Sequence, residues 1–315
     1  MGYKRIFLWL CGILLYAIAA AAPAKECIAV VAAGSGQNFW RAVERGALQA
    51  GEDLGVRIFF RYLHDDSEIQ AQGILIDEAF SKQCIGLVLA PNSERQRLHL
   101  EPFYARHLPV VLIDRTMELG PVYARLLTNN YEAGKLAAQQ MRKLLHDKGN
   151  VTLLRLQKGV TSTDDREQGF IDEIQRSPLT LIEGPYVGTN IASMRQQTSR
   201  FLSQHNEKID GLFTPNEMST LAALAELKKC GKIGQLVHIG FDYSRYQLEA
   251  LQRGELQGLI LQQPYQMGYQ GVRLLMLAHR GLRATSELLH TPTYYLTREQ
   301  LQSKEGKDFL LLNAP

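Results

Sequence analysis

Short apolar runs alternate with amphipathic segments along almost the whole chain. Residues 28–32 and 85–90 are apolar runs of strand length, whereas residues 40–54 and 131–145 repeat their apolar side chains at helical spacing. Strands that alternate with helices of this length are typical of parallel sheets, because a parallel connection needs a long crossover. Two successive sets, divided near residues 128–130, predict an α/β protein built from two similar halves.

The first residues have the composition of an export signal. Lys4 and Arg5 precede an uncharged apolar run over residues 6–22, and Ala22-Pro23-Ala24 supplies small residues for cleavage. A run of about 17 residues is at the lower limit for a membrane-spanning helix. We therefore predict a signal peptide over residues 1–24, cleaved near Ala24, and a periplasmic protein. An uncleaved membrane anchor is the alternative.

The charge of the chain argues against a nucleic-acid partner. Cleavage after residue 24 removes Lys4 and Arg5 but no acid, which lowers the formal net charge from +3 to +1. Affinity for phosphates depends on clustered Lys and Arg, so a nearly neutral chain is a poor binder of polyanions. The remaining length is sufficient for two domains of ordinary size.

The turn after the first predicted strand argues against a dinucleotide site. It reads Ala33-Gly34-Ser35-Gly36-Gln37-Asn38-Phe39-Trp40, so a large aromatic residue occupies the place of the third fingerprint glycine. Such a side chain blocks the close approach of a pyrophosphate to the backbone. The eight histidines are scattered, and no G-x-S-x-G motif is present. We predict no catalytic residues, no metal site and no cofactor.

Three cysteines follow the predicted signal peptide, and none has the spacing of a zinc or redox motif. Cys27 immediately precedes one apolar run, and Cys84 immediately precedes another. If the two runs are neighbouring parallel strands, both cysteines lie at the same end of the sheet, where their Cα atoms can fall within the bridging range of about 4.4–6.8 Å. A disulfide between Cys27 and Cys84 and a pair of buried free thiols are both compatible with this pattern.

Six short segments follow predicted strands or begin predicted helices. They are Gln37-Asn38-Phe39-Trp40, Ile113-Asp114-Arg115, Arg166-Glu167-Gln168-Gly169-Phe170, Thr214-Pro215-Asn216-Glu217, Ile239-Gly240-Phe241-Asp242 and Gln262-Gln263-Pro264. In this order they resemble the type I periplasmic binding proteins of the ribose-binding group, which share their core with LacI-type repressors. The resemblance covers nearly the whole chain after the signal. It implies two doubly wound parallel-sheet lobes joined by a three-crossing hinge.

The resemblance also implies how the chain is divided. The N-terminal lobe is expected to contain residues 26–128 and 264–292, and the C-terminal lobe residues 129–263 and 293–315. The crossings would fall near Asn129, Gln263 and Thr293, and hinge motion would close the lobes on a ligand. A monomer is the expected state.

The ligand contacts of this family fall on polar and aromatic residues of the six segments. A sugar offers hydroxyls that donate and accept, and apolar C–H faces, so carboxylates, amides, guanidinium groups and aromatic rings suit it. The resemblance therefore implies a ligand-binding set of Gln37, Phe39, Trp40, Asp114, Arg115, Arg166, Asn216, Asp242 and Gln262. Local roles are the alternatives: an ion pair for Asp114 and Arg115, a solvated helix start for Arg166, inter-domain core for Phe39 and Trp40, and helix caps for Asn216 and Asp242.

The implied function is the capture of a small polyhydroxylated ligand for an ABC importer. The alternative is a periplasmic partner of a membrane histidine kinase or chemoreceptor, which would report a signal that need not be a sugar. The chain departs from the ribose pattern, because Gly188, Thr189 or Asn190 stands where that group has an aromatic wall after a proline. We expect Asp114→Ala or Arg166→Ala to remove most of the binding and to leave the fold intact.

Overall fold

The computed structural model describes residues 26–34, 38–64, 67–118, 121–205, 208–283 and 287–314. The predicted signal peptide, its cleavage site and the expected ligand residue Gln37 lie outside these ranges. Within the ranges, no helix combines the length and the apolar character needed to cross a membrane.

Strands and helices alternate along the chain. The first part contains β1 (Cys27–Val31), α1 (Asn38–Leu54), β2 (Arg57–Arg61), α2 (Ile69–Ser81), β3 (Leu87–Leu89), α3 (Arg97–Ala105), β4 (Val110–Ile113) and β5 (Ala124–Thr128). The middle part contains α4 (Asn130–Leu145), β6 (Asn150–Leu153), α5 (Thr161–Gln175), β7 (Thr180–Ile182), α6 (Ile191–His205), β8 (Gly211–Phe213), α7 (Glu217–Lys229), β9 (Val237–Phe241), α8 (Arg245–Arg253) and β10 (Gly258–Leu261). The last part contains α9 (Pro264–His279), β11 (Leu288–Thr291), β12 (Tyr294–Leu296), α10 (Arg298–Gln302) and α11 (Lys304–Leu312).

The strands form two six-stranded sheets with the same strand order. One sheet is ordered β11-β5-β4-β3-β1-β2 and the other β12-β10-β9-β8-β6-β7. Neighbouring strands are parallel, except that β12 runs antiparallel to β10. We call the unit around the first sheet the first lobe and the unit around the second sheet the second lobe. The predicted fold class, two doubly wound parallel-sheet lobes, is confirmed.

The central strands are apolar throughout because helices cover both faces of each sheet. Every residue of β1, β3, β4, β8 and β10 is buried. Such strands appear in a sequence as continuous apolar runs, which is why they could be predicted. The strands β5, β11 and β12 and the helices α3, α10 and α11 were not predicted from the sequence. In β5 buried residues alternate with half-buried ones, and β11 is largely exposed at a sheet edge, so neither gives a continuous apolar run.

The chain passes between the two sheets at three places. β5 ends at Thr128 before α4, β10 ends at Leu261 before α9, and β11 ends at Thr291 before β12. α9 packs against α1 and β4 of the first lobe, although it follows the last parallel strand of the second lobe. Three adjacent connections of this kind are the arrangement that lets two lobes rotate about a hinge.

Each lobe contains a long helix pair in which glycines of both helices let the two backbones touch. In the second lobe, a methyl group at Gly134 would overlap the carbonyl oxygen of Arg166, and one at Gly169 would overlap the backbone of α4. α4 and α5 therefore approach without a side chain between them at this point, which fixes the position of Arg166 on α5. In the first lobe, α1 and α9 form the corresponding pair through Gly46 and Gly268.

A disulfide joins the beginning of β1 to the segment before β3. The Cα atoms of Cys27 and Cys84 are 4.6 Å apart and their sulfur atoms are bonded. Because β1 and β3 are parallel neighbours, both cysteines lie at the same end of the sheet. Cys230, at the end of α7, is a free and exposed thiol.

We expect replacement of Cys27 and Cys84 by serine to destabilise the first lobe substantially. The bridge spans 57 residues of chain, and closing a loop of this length lowers the entropy of the unfolded state by an equivalent of about 4 kcal/mol. Urea unfolding of the double variant under non-reducing conditions should show a corresponding loss, whereas Cys230→Ser, the control, should unfold like the wild type. Coincident curves for the double variant and the wild type would refute the bridge.

Candidate functional site

The candidate site lies between the lobes, where the carboxyl ends of the strands of both sheets meet. Asp114 directly follows β4 of the first lobe, whereas Asp242 and Gln262 directly follow β9 and β10 of the second. In open α/β sheets, the ends of parallel strands form the crevice in which ligands bind. The structure therefore places these predicted site residues at the edge of the sheet where a ligand is expected.

Arg166 is the centre of a buried polar network in the second lobe. Its Nε donates to Asn130 Oδ1 at 2.8 Å, and its Nη1 donates to the carbonyl oxygen of Pro215 at 2.9 Å. Its Nη2 donates to Gln262 Oε1 at 2.8 Å. The guanidinium carbon also lies 3.9 Å from the ring centroid of Phe241. Only 3% of the surface of Arg166 is exposed. Its three hydrogen bonds and its contact with the Phe241 ring hold the guanidinium group in one orientation.

Gln262 connects this network to the acid at the end of β9. Its Oε1 also accepts a hydrogen bond from Thr128 Oγ1 at 2.7 Å, and its Nε2 donates to Asp242 Oδ1 at 2.7 Å. The partners on the oxygen are donors and the partner on the nitrogen is an acceptor, so the orientation of the amide is determined. Gln262 thereby fixes the carboxylate of Asp242.

Two aspartates occupy corresponding positions in the two lobes with the same unusual backbone conformation. Asp114 has φ of +63° and Asp242 has φ of +58°, both in the left-handed region that few residues other than glycine adopt. Asp114 also forms an ion pair with Arg115, whose Nε lies 3.3 Å from its Oδ2. The backbone thus bends sharply after β4 and after β9, and each bend places a carboxylate at the cleft.

The charges of the two lobes influence each other across the cleft. Burial lowers the pKa of Arg166, and the carboxylates of Asp242 and Asp114 oppose that change. Burial raises the pKa of Asp242 to about 6, against the opposing effects of Arg166 and the Gln262 hydrogen bond. Because residues of both lobes act on the same groups, closing the cleft changes the electrostatics of the site.

The two adjacent aromatic residues of α1 have different surroundings. The rings of Phe39 and Trp40 meet edge to face with centroids 4.8 Å apart. Phe39 lines a small cavity between the lobes, together with Asp242 and Gln262. Both rings are buried in the apolar core of the first lobe, but Trp40 does not line this cavity. The structure therefore offers one of the two rings, that of Phe39, to the cleft.

Asn216 begins α7 as a helix cap. Its Oδ1 accepts from the backbone N–H of Ser219 at 2.9 Å, and Ser219 Oγ accepts in return from the backbone N–H of Asn216. The helical start places its neighbour Pro215 with the carbonyl oxygen toward Arg166. Capping explains why an asparagine precedes α7. The side-chain nitrogen of Asn216 takes no part in the cap and can donate to another group.

Sequence reasoning missed Glu217, the residue after this cap. It is buried, and its carboxyl group accepts a hydrogen bond from the backbone N–H of Asn38 in the first lobe. Burial and the neighbouring Asp242 raise its pKa to about 8. An acid in the first turn of a helix is common for reasons of the helix dipole, so the sequence carried no signal that this one contacts the other lobe.

Direct hydrogen bonds between the lobes hold the cleft closed. Asn38 Nδ2 donates to the carbonyl oxygen of Tyr243 at 3.1 Å, and Thr161 Oγ1 donates to that of Thr116 at 3.4 Å. Tyr243 also lines the small cavity that Phe39 faces. A ligand larger than this cavity can enter only when the lobes separate.

The described part of the chain contains no group of three or more His, Cys, Asp or Glu side chains placed to hold a metal ion. What the cleft does contain is a set of fixed carboxylate, amide and guanidinium groups beside one aromatic face. Two doubly wound lobes around such a cleft define the class of two-lobed binding proteins for small polar ligands.

Comparison with known proteins identifies the family. The chain belongs to the periplasmic binding protein domain family, whose model matches residues 28–282. It is 30% identical to the D-apiose import binding protein of Actinobacillus succinogenes over 72% of this chain and 73% of the relative. The predicted resemblance to type I periplasmic binding proteins is thereby confirmed.

Solved structures agree with this assignment. The periplasmic component of an ABC-type sugar transport system from Hahella chejuensis is 33% identical, with a TM-score of 0.82 over 86% of this chain and 99% of that one. A solute binding protein of an ABC transporter from Agrobacterium vitis, solved with bound D-fucose, is 27% identical, with a TM-score of 0.83 over 90% of this chain and 99% of that one.

Proposed function

We propose that the protein captures a monosaccharide in the periplasm and presents it to an ABC importer. The observation that carries the proposal is the buried network of Arg166, Gln262 and Asp242 at the cleft. Each of these side chains is oriented by the protein before a ligand arrives, so little conformational entropy is lost on binding. The relatives named for sugar import support the chemical class of the ligand.

The groups around the cleft match the chemistry of a sugar. Carboxylates of Asp114 and Asp242 accept hydrogen bonds from hydroxyl groups, and the guanidinium groups of Arg115 and Arg166 donate to ring and hydroxyl oxygens. Charge-assisted hydrogen bonds of this kind are the stronger class. The ring of Phe39 offers an apolar face to the C–H side of the ligand. Gln262, Asn216 and Gln37 complete the proposed ligand set together with Trp40, whose part is to support the ring of Phe39 by edge-to-face packing.

Binding in this proposal is a hinge movement without chemical turnover. Residues 26–128 with 264–292 move as one body, and residues 129–263 with 293–315 as the other. The hinge consists of the crossings near Asn129, Gln263 and Thr293. A sugar enters the open form, and the closed form is recognised by the permease as a monomeric complex. The protein acts as a binding protein and not as an enzyme.

A thermal-shift screen tests the ligand class. We expect one monosaccharide in a panel of D-apiose, D-ribose, D-fucose and other pentoses and hexoses to raise the melting temperature by roughly 5 °C at a hundredfold excess over its Kd, because it binds only the folded state. Folded protein that shows no shift with any sugar would contradict the proposal.

Asp114→Asn is the matched site variant for this screen. Asparagine tolerates the left-handed backbone at this position, so the fold should be retained while one charge-assisted acceptor is lost. We expect the affinity to fall by about ten- to hundredfold, measured by calorimetry with the sugar that gives the shift. An unchanged affinity would remove Asp114 from the ligand set.

A further inference from the structure

The last helix of the chain lies on the second lobe but ends against the first. Its N-terminus is capped by Ser303, and Gly306 lies directly against the backbone of α10. The ring of Phe309 stacks on that of Tyr294 in β12, with centroids 4.9 Å apart. These contacts attach α11 firmly to the second lobe.

Arg45 of α1 holds the other end of this segment from the first lobe. Its Nε donates to the carbonyl oxygen of Ala314 at 2.9 Å, and its Nη2 donates to that of Leu312. Carbonyl groups at the end of a helix have no partner within the helix and carry partial negative charge, so a guanidinium group is a favourable partner. The segment thus makes contacts with both lobes.

Two further hydrogen bonds, nearer to the cleft, connect the first lobe, the second lobe and α11. Asn38 of the first lobe donates to the carbonyl oxygen of Tyr243 in the second. The hydroxyl of Tyr243 donates in turn to the carbonyl oxygen of Leu310 in α11, at 3.2 Å. The C-terminal segment is therefore connected to the cleft residues as well as to Arg45.

Asn313 extends the segment into the cleft itself. It is 1% exposed and lines the small inter-lobe cavity with Phe39, Asp242 and Gln262. Its Nδ2 donates to the carbonyl oxygen of Phe309 at 3.0 Å. Its Oδ1 is buried and accepts no hydrogen bond from the residues that the structure describes. A buried acceptor of this kind is unfavourable until a donor is supplied.

We propose that residues 304–314 form a strap across the cleft, which restrains opening of the lobes through Arg45 and presents Asn313 Oδ1 to a hydroxyl group of the bound sugar. The contact with the ligand rests on the proposed function, whereas the restraint on opening does not. The family model ends at residue 282, so the strap lies in a part of the chain outside that match.

The restraint is tested without any sugar. Small-angle X-ray scattering of Arg45→Ala is expected to give a larger radius of gyration than that of the wild type, because the lobes separate more often. Leu311→Ala is the matched control, since Leu311 belongs to the same helix and is 74% exposed. Scattering curves of Arg45→Ala and wild type that coincide would overturn the strap.

The ligand contact is tested by calorimetry with D-apiose, D-ribose and D-fucose in turn. For a sugar that the wild type binds, Asn313→Leu should weaken binding by about five- to tenfold, the size typical of one hydrogen bond. Leu311→Ala should bind like the wild type. Equal affinities of Asn313→Leu and wild type would overturn the contact. If the wild type binds none of these sugars, the contact fails together with the proposed sugar class, and the scattering result still decides the restraint.

Discussion

Arg166→Met is expected to abolish sugar binding and to lower the free energy of unfolding by about 3–5 kcal/mol, because it leaves buried partners of a charged group unsatisfied. The variant removes three hydrogen bonds and the contact with the Phe241 ring. It also removes the positive charge that partly offsets the rise in the pKa of Asp242 caused by burial. Calorimetric binding and urea unfolding measure the two effects separately.

Arg253→Met is the matched control for this substitution. Arg253 also forms an ion pair, with Glu255, but its side chain is 45% exposed, and an exposed pair contributes about 1 kcal/mol or less. If Arg166→Met unfolds in urea like the wild type, the stabilising role of the Arg166 network is contradicted. From the sequence we predicted that loss of Arg166 leaves the fold intact. Because Arg166 is buried, we now expect its loss to destabilise the protein.

Sugar binding is expected to weaken as the pH rises from about 6.5 to 8, by up to about tenfold per pH unit. The cause is Glu217, whose pKa is about 8 in the closed cleft because of burial and the nearby Asp242. Opening of the cleft returns water to the carboxyl group and moves this pKa toward its ordinary value of 4.5. Between these values the closed form holds a proton that the open form releases, so closure is favoured at lower pH and lost as the pH rises.

Other charged groups around Glu217 act in the same region. Arg41 of α1 opposes the raised pKa, as does the hydrogen bond from the Asn38 N–H. Asp242, with a pKa of about 6, titrates mainly below the chosen window. Tyr243 has a pKa raised to about 12 by burial and stays neutral. Of these cleft groups, Glu217 is therefore the one whose protonation is expected to change most between pH 6.5 and 8.

Glu217→Gln separates the titration from the contact. The amide keeps an oxygen that can accept the hydrogen bond from the Asn38 N–H, but it cannot ionise. Calorimetry between pH 6.5 and 8 should give a flat affinity for the variant and tighter binding than that of the wild type at pH 8. Parallel pH profiles for the two proteins would show that Glu217 does not couple the proton to closure.

The alternation of apolar runs with amphipathic segments was sufficient to predict an α/β protein with two similar halves, because the buried strands are continuous apolar runs. The two-lobed fold and the ligand roles of Asp114 and Asp242 came from the resemblance to the ribose-binding group, and each of these residues directly follows such a run. The neighbourhood of Cys27 and Cys84 also followed from their positions before two strands that pair in the structure.

Contacts between distant segments could not be predicted in this way. Glu217 meets Asn38 only because two lobes close on each other, and nothing local in Asn216-Glu217 distinguishes this acid from one that stabilises a helix start. Likewise, no periodicity indicates that Asn313 reaches the cleft or that Arg45 holds the end of α11. The strand β11 was missed because it is a largely exposed edge strand, and β5 was missed because its buried residues alternate with half-buried ones, so neither forms a continuous apolar run.

The identical strand orders and the two glycine-mediated helix pairs have a consequence for the ancestry of the chain. Duplication of one ancestral half, followed by fusion, leaves two sheets of the same order and the same close contact between helices in each. Under such a duplication the aspartates with positive φ, Asp114 and Asp242, are equivalent positions of the two copies. The copies nevertheless present different groups to the cleft, because the first lobe presents the ring of Phe39 and the second presents the polar network of Arg166. A cleft between two repeats of this kind therefore needs no symmetry in its ligand.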